Sequence, residues 1–239
     1  SLIAHWGLNY WIGALLAILI TAAFGYVLDA VVLRRVIGQP QFAVVMLTLG
    51  LGFIFRAGAG ITWGYDSVGF ETPFTNKTVN LGGLVLGQDN VSIIVGTVIL
   101  CGVLFTFFSK TRLGVAMQAA SQNQLAAYYM GIPVRNIFSM IWAISAGVAA
   151  VAGILLSPVS MIDVNMGFLG IKAFAAAVIG GFGSIPGSLI GGVIVGVVEQ
   201  LAGYYLPAGF QEVTSNVVLL AMLILRPQGL FAERMGKRV

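Results

Sequence analysis

Charge is what this 239-residue chain has least of: Asp, Glu, Lys and Arg together make up 8 %, where a soluble domain carries about a quarter. So little charge cannot cover a surface that faces water. Cysteine and histidine occur once each. Cys101 stands alone inside an apolar run, which excludes a disulfide framework and leaves the redox compartment open. His5 has no Cys, His or carboxylate neighbour at ligand spacing, so no metal is expected. A Ser–His pair within an apolar segment cannot be built either, and carboxylates paired at helical spacing are missing. These absences argue against an enzyme working inside a membrane. Neither G-x-x-x-x-G-K-[ST] nor a G-x-G-x-x-G after a strand occurs, so the two common phosphate cradles are excluded.

What the chain has is apolar length. Hydrophobic residues make up 59 % of it, and the mean hydropathy is +0.99. A bilayer core of about 30 Å is crossed by about 20 apolar residues, and lipid admits only helices or closed barrels. A barrel would show short alternating segments rather than continuous runs. The expectation is an all-α integral membrane protein, a polytopic helical bundle in a single domain over residues 1–239. Its runs fall at 11–33, 41–61, 91–109, 137–156, 188–206 and 213–226, with a shorter one at 171–182, which gives seven spans.

Basic residues set the orientation, because Lys and Arg of short loops stay on the cytoplasmic side. Arg34 and Arg35, then Lys110, Arg112 and Arg135, then Arg226, Arg234, Lys237 and Arg238 account for nine of the twelve. This predicts a cytoplasmic C-terminus and a cytoplasmic segment over 110–136. The 62–90 connection, with Asp66, Glu71 and Asp89 against Lys77, reads as the long outside loop. Between Arg135 and Arg226 the chain must then cross an even number of times, so 171–182 is expected to span. A re-entrant hairpin ending at the Gly-rich GGFGSIPG is the rival.

Gly183, Gly187 and Gly191 follow one another at four-residue spacing, as do Gly192 and Gly196, a pattern that lets helix backbones approach closely in lipid. Charges at that depth cost about 2.5–3.5 kcal/mol on insertion scales. Glu199 lies on the small-residue face and reads either as a structural acid satisfied by a neighbouring helix or as part of a gate or path. Lys172 opens the short run, where it can snorkel to the interface. Arg56 can snorkel or line an aqueous cavity. Thr48 and Gly50, in Thr48-Leu-Gly-Leu-Gly52, sit mid-span where transporter helices bend, though packing explains them equally well.

The segment KTRLGVAMQAASQNQLAAYYMGI, residues 110–132, differs from the rest. Ala116, Ala119, Ala120, Asn123 and Ala127 follow a helical rhythm along one narrow face, and Gly131 with Pro133 predicts the stop. Too short to persist alone in water, such a helix needs support. A membrane-surface helix would carry Lys or Arg, and none falls between Leu113 and Val134, so a socket in a partner protein and an idle connecting loop are the readings left.

These residues resemble the coupling-helix segment of ABC importer permeases of the branched-chain amino acid transport family, through R-x-G-x-A-x-x-A-x-x-Q-N, further alanines and Gly-Ile. VLRRVIGQP, LTLGLGF, SAGVAAVAGILLSP, the block from GIKAF through GGFGSIPGS to VVEQL, and RPQGLF extend the likeness along the chain. It looks most like the first of the two paralogous permease types. By that pattern an N-terminal membrane segment rich in Asn, Phe, Ala, His and Gly would precede Ser1. The resemblance implies a second permease subunit, two cytoplasmic ATPases carrying ATP and Mg, and an extracytoplasmic solute-binding protein as partners in a bacterial or archaeal cytoplasmic membrane. It implies no nucleic acid and no cofactor on this chain. Arg112, Gly114, Ala116, Ala119, Ala120, Asn123, Ala127 and Gly131 would form the ATPase-coupling segment. Branched-chain or other apolar amino acids are the expected cargo, with urea or short amides as the alternative within the family. An autonomous channel or secondary transporter is the reading from another class; the chain shows neither the paired acids nor the internal repeat that such a carrier would favour.

Overall fold

The computed structural model describes residues 9–36, 41–70, 72–73, 77–81, 84–181, 183–207, 209–226 and 228–231; His5, Phe182, Arg234, Lys237 and Arg238 lie outside them. The chain forms two compact units, Ser1–Val164 and Asn165–Val239.

In the first unit, α1 (Tyr10–Val31) passes through a 3-10 turn (Leu33–Val36) toward α2 (Gln41–Trp63). Strands β1 (Thr78–Leu81) and β2 (Leu84–Gly87) then pair as an antiparallel hairpin, with Thr78 opposite Gly87. The long connection therefore carries secondary structure that its composition does not announce. A further antiparallel bridge joins Val68 to Ile162. After it come α3 (Gln88–Lys110), the short α4 (Arg112–Gln122) and α5 (Gln124–Tyr129), and α6 (Val134–Leu156).

α1 and α6 run antiparallel in close contact, because Gly25 lets the backbones meet. A Cβ there would lie 2.6 Å from Ala146 Cβ and 2.7 Å from the Trp142 carbonyl oxygen. α3 also runs antiparallel to α6, with Gly96 against Leu155, and Phe24 of α1 meets Phe55 of α2 edge-on at 5.3 Å. The consequence is a common polar end. Arg34, Arg35, Lys110, Arg112 and Arg135 gather at one end of this unit, and the hairpin at the other.

The second unit holds a 3-10 turn (Met166–Phe168), α7 (Leu169–Gly180), α8 (Ile185–Tyr205) and α9 (Phe210–Leu225). α7 and α8 form an antiparallel helical hairpin built on absent side chains. A Cβ on Gly187 would fall 2.5 Å from the Gly180 carbonyl oxygen, and one on Gly191 would strike the Ala176 carbonyl and lie 2.8 Å from the Gly180 nitrogen. Of the glycines singled out by spacing, Gly187 and Gly191 make this crossing, and Gly180 joins them. Gly183 sits instead in the turn at φ +91°, while a Cβ on Gly192 or Gly196 would meet nothing within 4 Å.

Ser184 caps α8, its Oγ accepting from the Gly187 N–H at 3.1 Å, and Pro186 suits the first turn. RPQGLF then closes the unit. Leu230 N–H donates to Ile179 O at 2.9 Å and Phe231 N–H to Gly180 O at 3.0 Å, satisfying carbonyls that the end of α7 leaves open.

Among the described residues, α1, α2, α3, α6 and α8 are long and apolar enough to cross a membrane. α7 and α9, of 12 and 16 residues, are shorter; at 1.5 Å per residue α7 reaches only about 18 Å of a roughly 30 Å core. No residue of α3 is buried, and large apolar side chains such as Phe53, Ile94 and Val103 stand exposed. Such surfaces are stable against lipid or another apolar helix, not against water.

The glycine crossing carries a prediction. Gly191→Val forces α7 and α8 apart and should destabilise the detergent-solubilised chain by about 2 kcal/mol, whereas Gly192→Val should stay within about 0.5 kcal/mol. Thermal unfolding followed by circular dichroism checks both; equal effects would remove the crossing from the account.

Candidate functional site

The polar end of the first unit is organised around α4 and α5. α3 ends at Lys110, and Thr111 reverses the chain: its Oγ1 donates to Phe107 O at 2.7 Å and accepts the Gly114 N–H at 3.0 Å. Gly114 is required for this reversal, since a Cβ would lie 2.5 Å from Phe107 O and 2.6 Å from Phe108 Cα. The expected continuous helix is broken at Asn123, which is extended (φ −152°, ψ 101°) and caps α5 by accepting the Ala126 N–H on Oδ1 at 3.0 Å. An Asn side chain competes with the helix backbone for hydrogen bonds and so favours a cap. Gly131 ends α5 at φ +80°. Its N–H donates to Tyr128 O and that of Ile132 to Ala127 O, both at 3.0 Å, the paired bonds of a Schellman stop.

The alanine face of this segment points into the protein. Ala120 and Ala127 are buried with Met117 and Ile137, and Phe107, Phe108, Ala116, Val134 and Ile141 pack around them. Gly114 is buried and Ala119 half-buried. The most open apolar side chains of the segment are Leu125, Tyr128, Tyr129 and Met130, exposed by 66, 69, 77 and 82 %, with Leu113 and Val115 also exposed. Arg112 stays exposed at the margin.

Beside this segment lies a polar cluster that hydropathy conceals. Asp29, in the last turn of α1, is 1 % exposed, and Ser139, in the second turn of α6, is fully buried. Ser139 Oγ donates to Asp29 Oδ2 at 2.6 Å and accepts from Arg34 Nη2 at 2.7 Å. The available signal was an acid five residues before an arginine at the end of an apolar run; Ser139, one of many small polar residues, gave none.

In the second unit the Lys172 ammonium lies 3.2 Å from Glu199 Oε1 and 3.4 Å from Oε2, so α7 and α8 are joined by an ion pair far from their turn. Only the Oε2 contact has hydrogen-bond geometry; Oε1 is held by charge alone. Lys172 thus has a partner within reach rather than only an interface to snorkel toward. Thr48 Oγ1 donates to Val45 O at 2.9 Å within its own helix, and nothing approaches Gly50 or Gly52. The structure brings neither Thr48 nor Gly50 together with another singled-out residue.

At the hairpin end of the first unit a groove of ≈ 870 Å³ opens between α1, α3 and α6, lined by aliphatic side chains such as Leu15, Leu19, Val95, Ile99 and Leu155. Gln88 and Ser92 supply polar groups at its edge. A lining of this kind accepts an apolar group and disfavours a bare charge.

Fold and site define a multi-pass membrane protein whose polar end carries a packed, capped helical segment. Its relatives say which one. The family described as branched-chain amino acid transport system, permease component, matches residues 1–226, and the chain belongs to that family. It is 30 % identical to BraD, a high-affinity branched-chain amino acid transport system permease protein of Pseudomonas aeruginosa, over 91 % of this chain and 73 % of BraD. It is 31 % identical to LivH, the permease protein of the same description in Escherichia coli, over 91 % of this chain and 72 % of LivH. A LivH of Methanocaldococcus jannaschii is 36 % identical over 66 % of this chain and 52 % of its own length. No solved structure matches.

The ion pair gives the second prediction. With side chains 33 % and 14 % exposed, water screens part of the attraction, so Lys172→Met and Glu199→Gln should each cost about 1 kcal/mol of thermal stability. The double variant should cost less than the sum of the two. Strict additivity, measured by the same melts, would show that the two groups do not interact.

Proposed function

We propose that the chain is the membrane-spanning permease subunit of an ATP-driven ABC importer for branched-chain or other apolar amino acids. In this reading it pairs with a second, paralogous permease. Two ATPase subunits, which bind ATP and Mg, dock on the cytoplasmic end, and an extracytoplasmic solute-binding protein delivers the cargo. The chain itself is not an enzyme and holds no cofactor. The polar end of the first unit and the C-terminus face the cytoplasm of a bacterial or archaeal cell, and α7 and α9 are assigned as the two further crossings of seven, the short α7 crossing where the bilayer thins around it.

The observation that carries this reading is the family match over residues 1–226 to a transport-system permease component. The build of α4 and α5 supports the coupling role. Gly114, Ala116, Ala120 and Ala127 pack the segment onto α3 and α6, and Asn123 and Gly131 shape its ends. The ATPase then meets Leu125, Tyr128, Tyr129 and Met130, with Arg112 and Ala119 at the margin. An apolar surface this exposed at a water-facing end calls for a partner. The aliphatic groove and the names of the relatives support an apolar cargo. Thr48 and Gly50 on α2, and the Lys172–Glu199 pair, are assigned to the path or its gate.

Transport would follow from displacement of the docked segment. Because α4 and α5 share a core with the ends of α3 and α6, they cannot move without moving those helices, and alternating access is rocking of packed helices.

The test is reconstitution of the full complex in vesicles. Leucine uptake should require ATP and the binding protein, and Tyr129→Asp should lower substrate-stimulated ATP hydrolysis about tenfold while membrane insertion stays intact. Normal stimulation in that variant would remove the docking assignment. Uptake of urea in place of leucine would reassign the cargo, and uptake without ATP would replace the importer by a channel.

A further inference from the structure

Ser139 stands where two helices and the coupling segment meet. Two positions earlier, Ile137 is buried with Met117, Ala120 and Ala127, so the start of α6 moves with α4 and α5. The hydroxyl bonds at 2.6 and 2.7 Å tie that start to Asp29 in the last turn of α1 and to Arg34 in the 3-10 turn that follows it. Among the described residues, Asp29 and Arg34 make no direct ion pair; the hydroxyl is their link. One turn deeper, Gly25 brings the α1 backbone against Trp142 and Ala146. Arg34 Nε is buried without a hydrogen-bond partner among the described residues, and it is Nη2 that ties the guanidinium to Ser139.

Resting on the permease reading, we infer that Ser139 is a positioning residue for transport: it is the joint through which a displacement of the coupling segment reaches α1. A hydroxyl has one proton to give, and here Asp29 takes it while Arg34 supplies the bond the oxygen accepts. Bonds to charged groups are short and directional, so they pass on a rotation of α6 that a greasy contact would absorb by slipping. The glycine contact then makes α1 and α6 turn as one body.

The experiment uses the complete complex in vesicles and measures leucine imported per ATP hydrolysed. Ser139→Ala should assemble and keep basal hydrolysis, with import per ATP falling about fivefold or more. Ser139→Thr, which keeps the hydroxyl, should recover at least about half of the ratio. Adding Asp29→Asn to Ser139→Ala should lower it no further, because the two act through one bond. An unchanged ratio in Ser139→Ala, or equal losses in the Ala and Thr variants, would overturn the inference. If Ser139→Ala does not assemble, Asp29→Asn replaces it, since the amide keeps the shape of the side chain and removes the charge that makes the bond from Ser139 short and directional. A ratio lowered about twofold or more supports the joint, and an unchanged one overturns it. A wild-type complex that shows no ATP-dependent import marks the failure of the permease reading itself and is seen before any variant is made.

Discussion

The hydroxyl of Ser139 has two charged neighbours, and one of them, Asp29, is too deeply buried for water to take its place. Desolvating a carboxylate costs several kcal/mol unless it is hydrogen-bonded and its charge is balanced. Asp29 meets both conditions only if α6 presents Ser139 at the right height and the chain after α1 folds back to bring Arg34. That requirement sets the register of α1 against α6. With the register set, Gly25 falls opposite Trp142 and Ala146, and the start of α6 lies where Met117, Ala120 and Ala127 can pack on Ile137. The α4–α5 segment is therefore held by the same contact that pairs the two helices.

The second unit solves the same problem with backbone instead of side chains. Gly180, Gly187 and Gly191 bring α7 and α8 so close that little but main chain remains between them, and the carbonyls left open at the end of α7 are taken by Leu230 and Phe231. Lys172 and Glu199 pair at the far end of the hairpin. In lipid, where hydrophobic burial drives little, such close packing and paired polar groups provide the adhesion.

How much of this was legible in the sequence depends on which force wrote it. The apolar runs were plain, because transfer from water to lipid is additive along a helix: the run at 137–156 became Val134–Leu156, and that at 188–206 became Ile185–Tyr205. Backbone stops were plain too, as Gly131 shows, since only glycine takes φ +80° freely. The buried face of the 110–132 segment was not. Alanine at helical spacing is compatible with a socket and with a core, and only the arrival of Phe107, Phe108 and Ile137 from distant positions decides for the core. Asn123 followed the helical rhythm yet breaks the helix, because its side chain outbids the backbone for one N–H. Glycine spacing likewise marked Gly192 and Gly196 together with Gly187 and Gly191, although contacts from α7 separate the pairs. In the Asp29–Ser139–Arg34 cluster the acid and the arginine at the end of an apolar run left a local mark, but Ser139, more than a hundred positions from both, left none.

The central claim is that this chain works only as one membrane subunit of a larger machine, with its exposed apolar faces and the Leu125–Met130 surface covered by other proteins. The most direct measurement is mild-detergent capture of the tagged full-length chain from its own membranes, with mass spectrometry of what accompanies it. Two ATPase subunits, a second permease and a solute-binding protein in fixed proportion are the predicted result. The chain recovered alone, from a preparation shown to keep known complexes together, would contradict the claim.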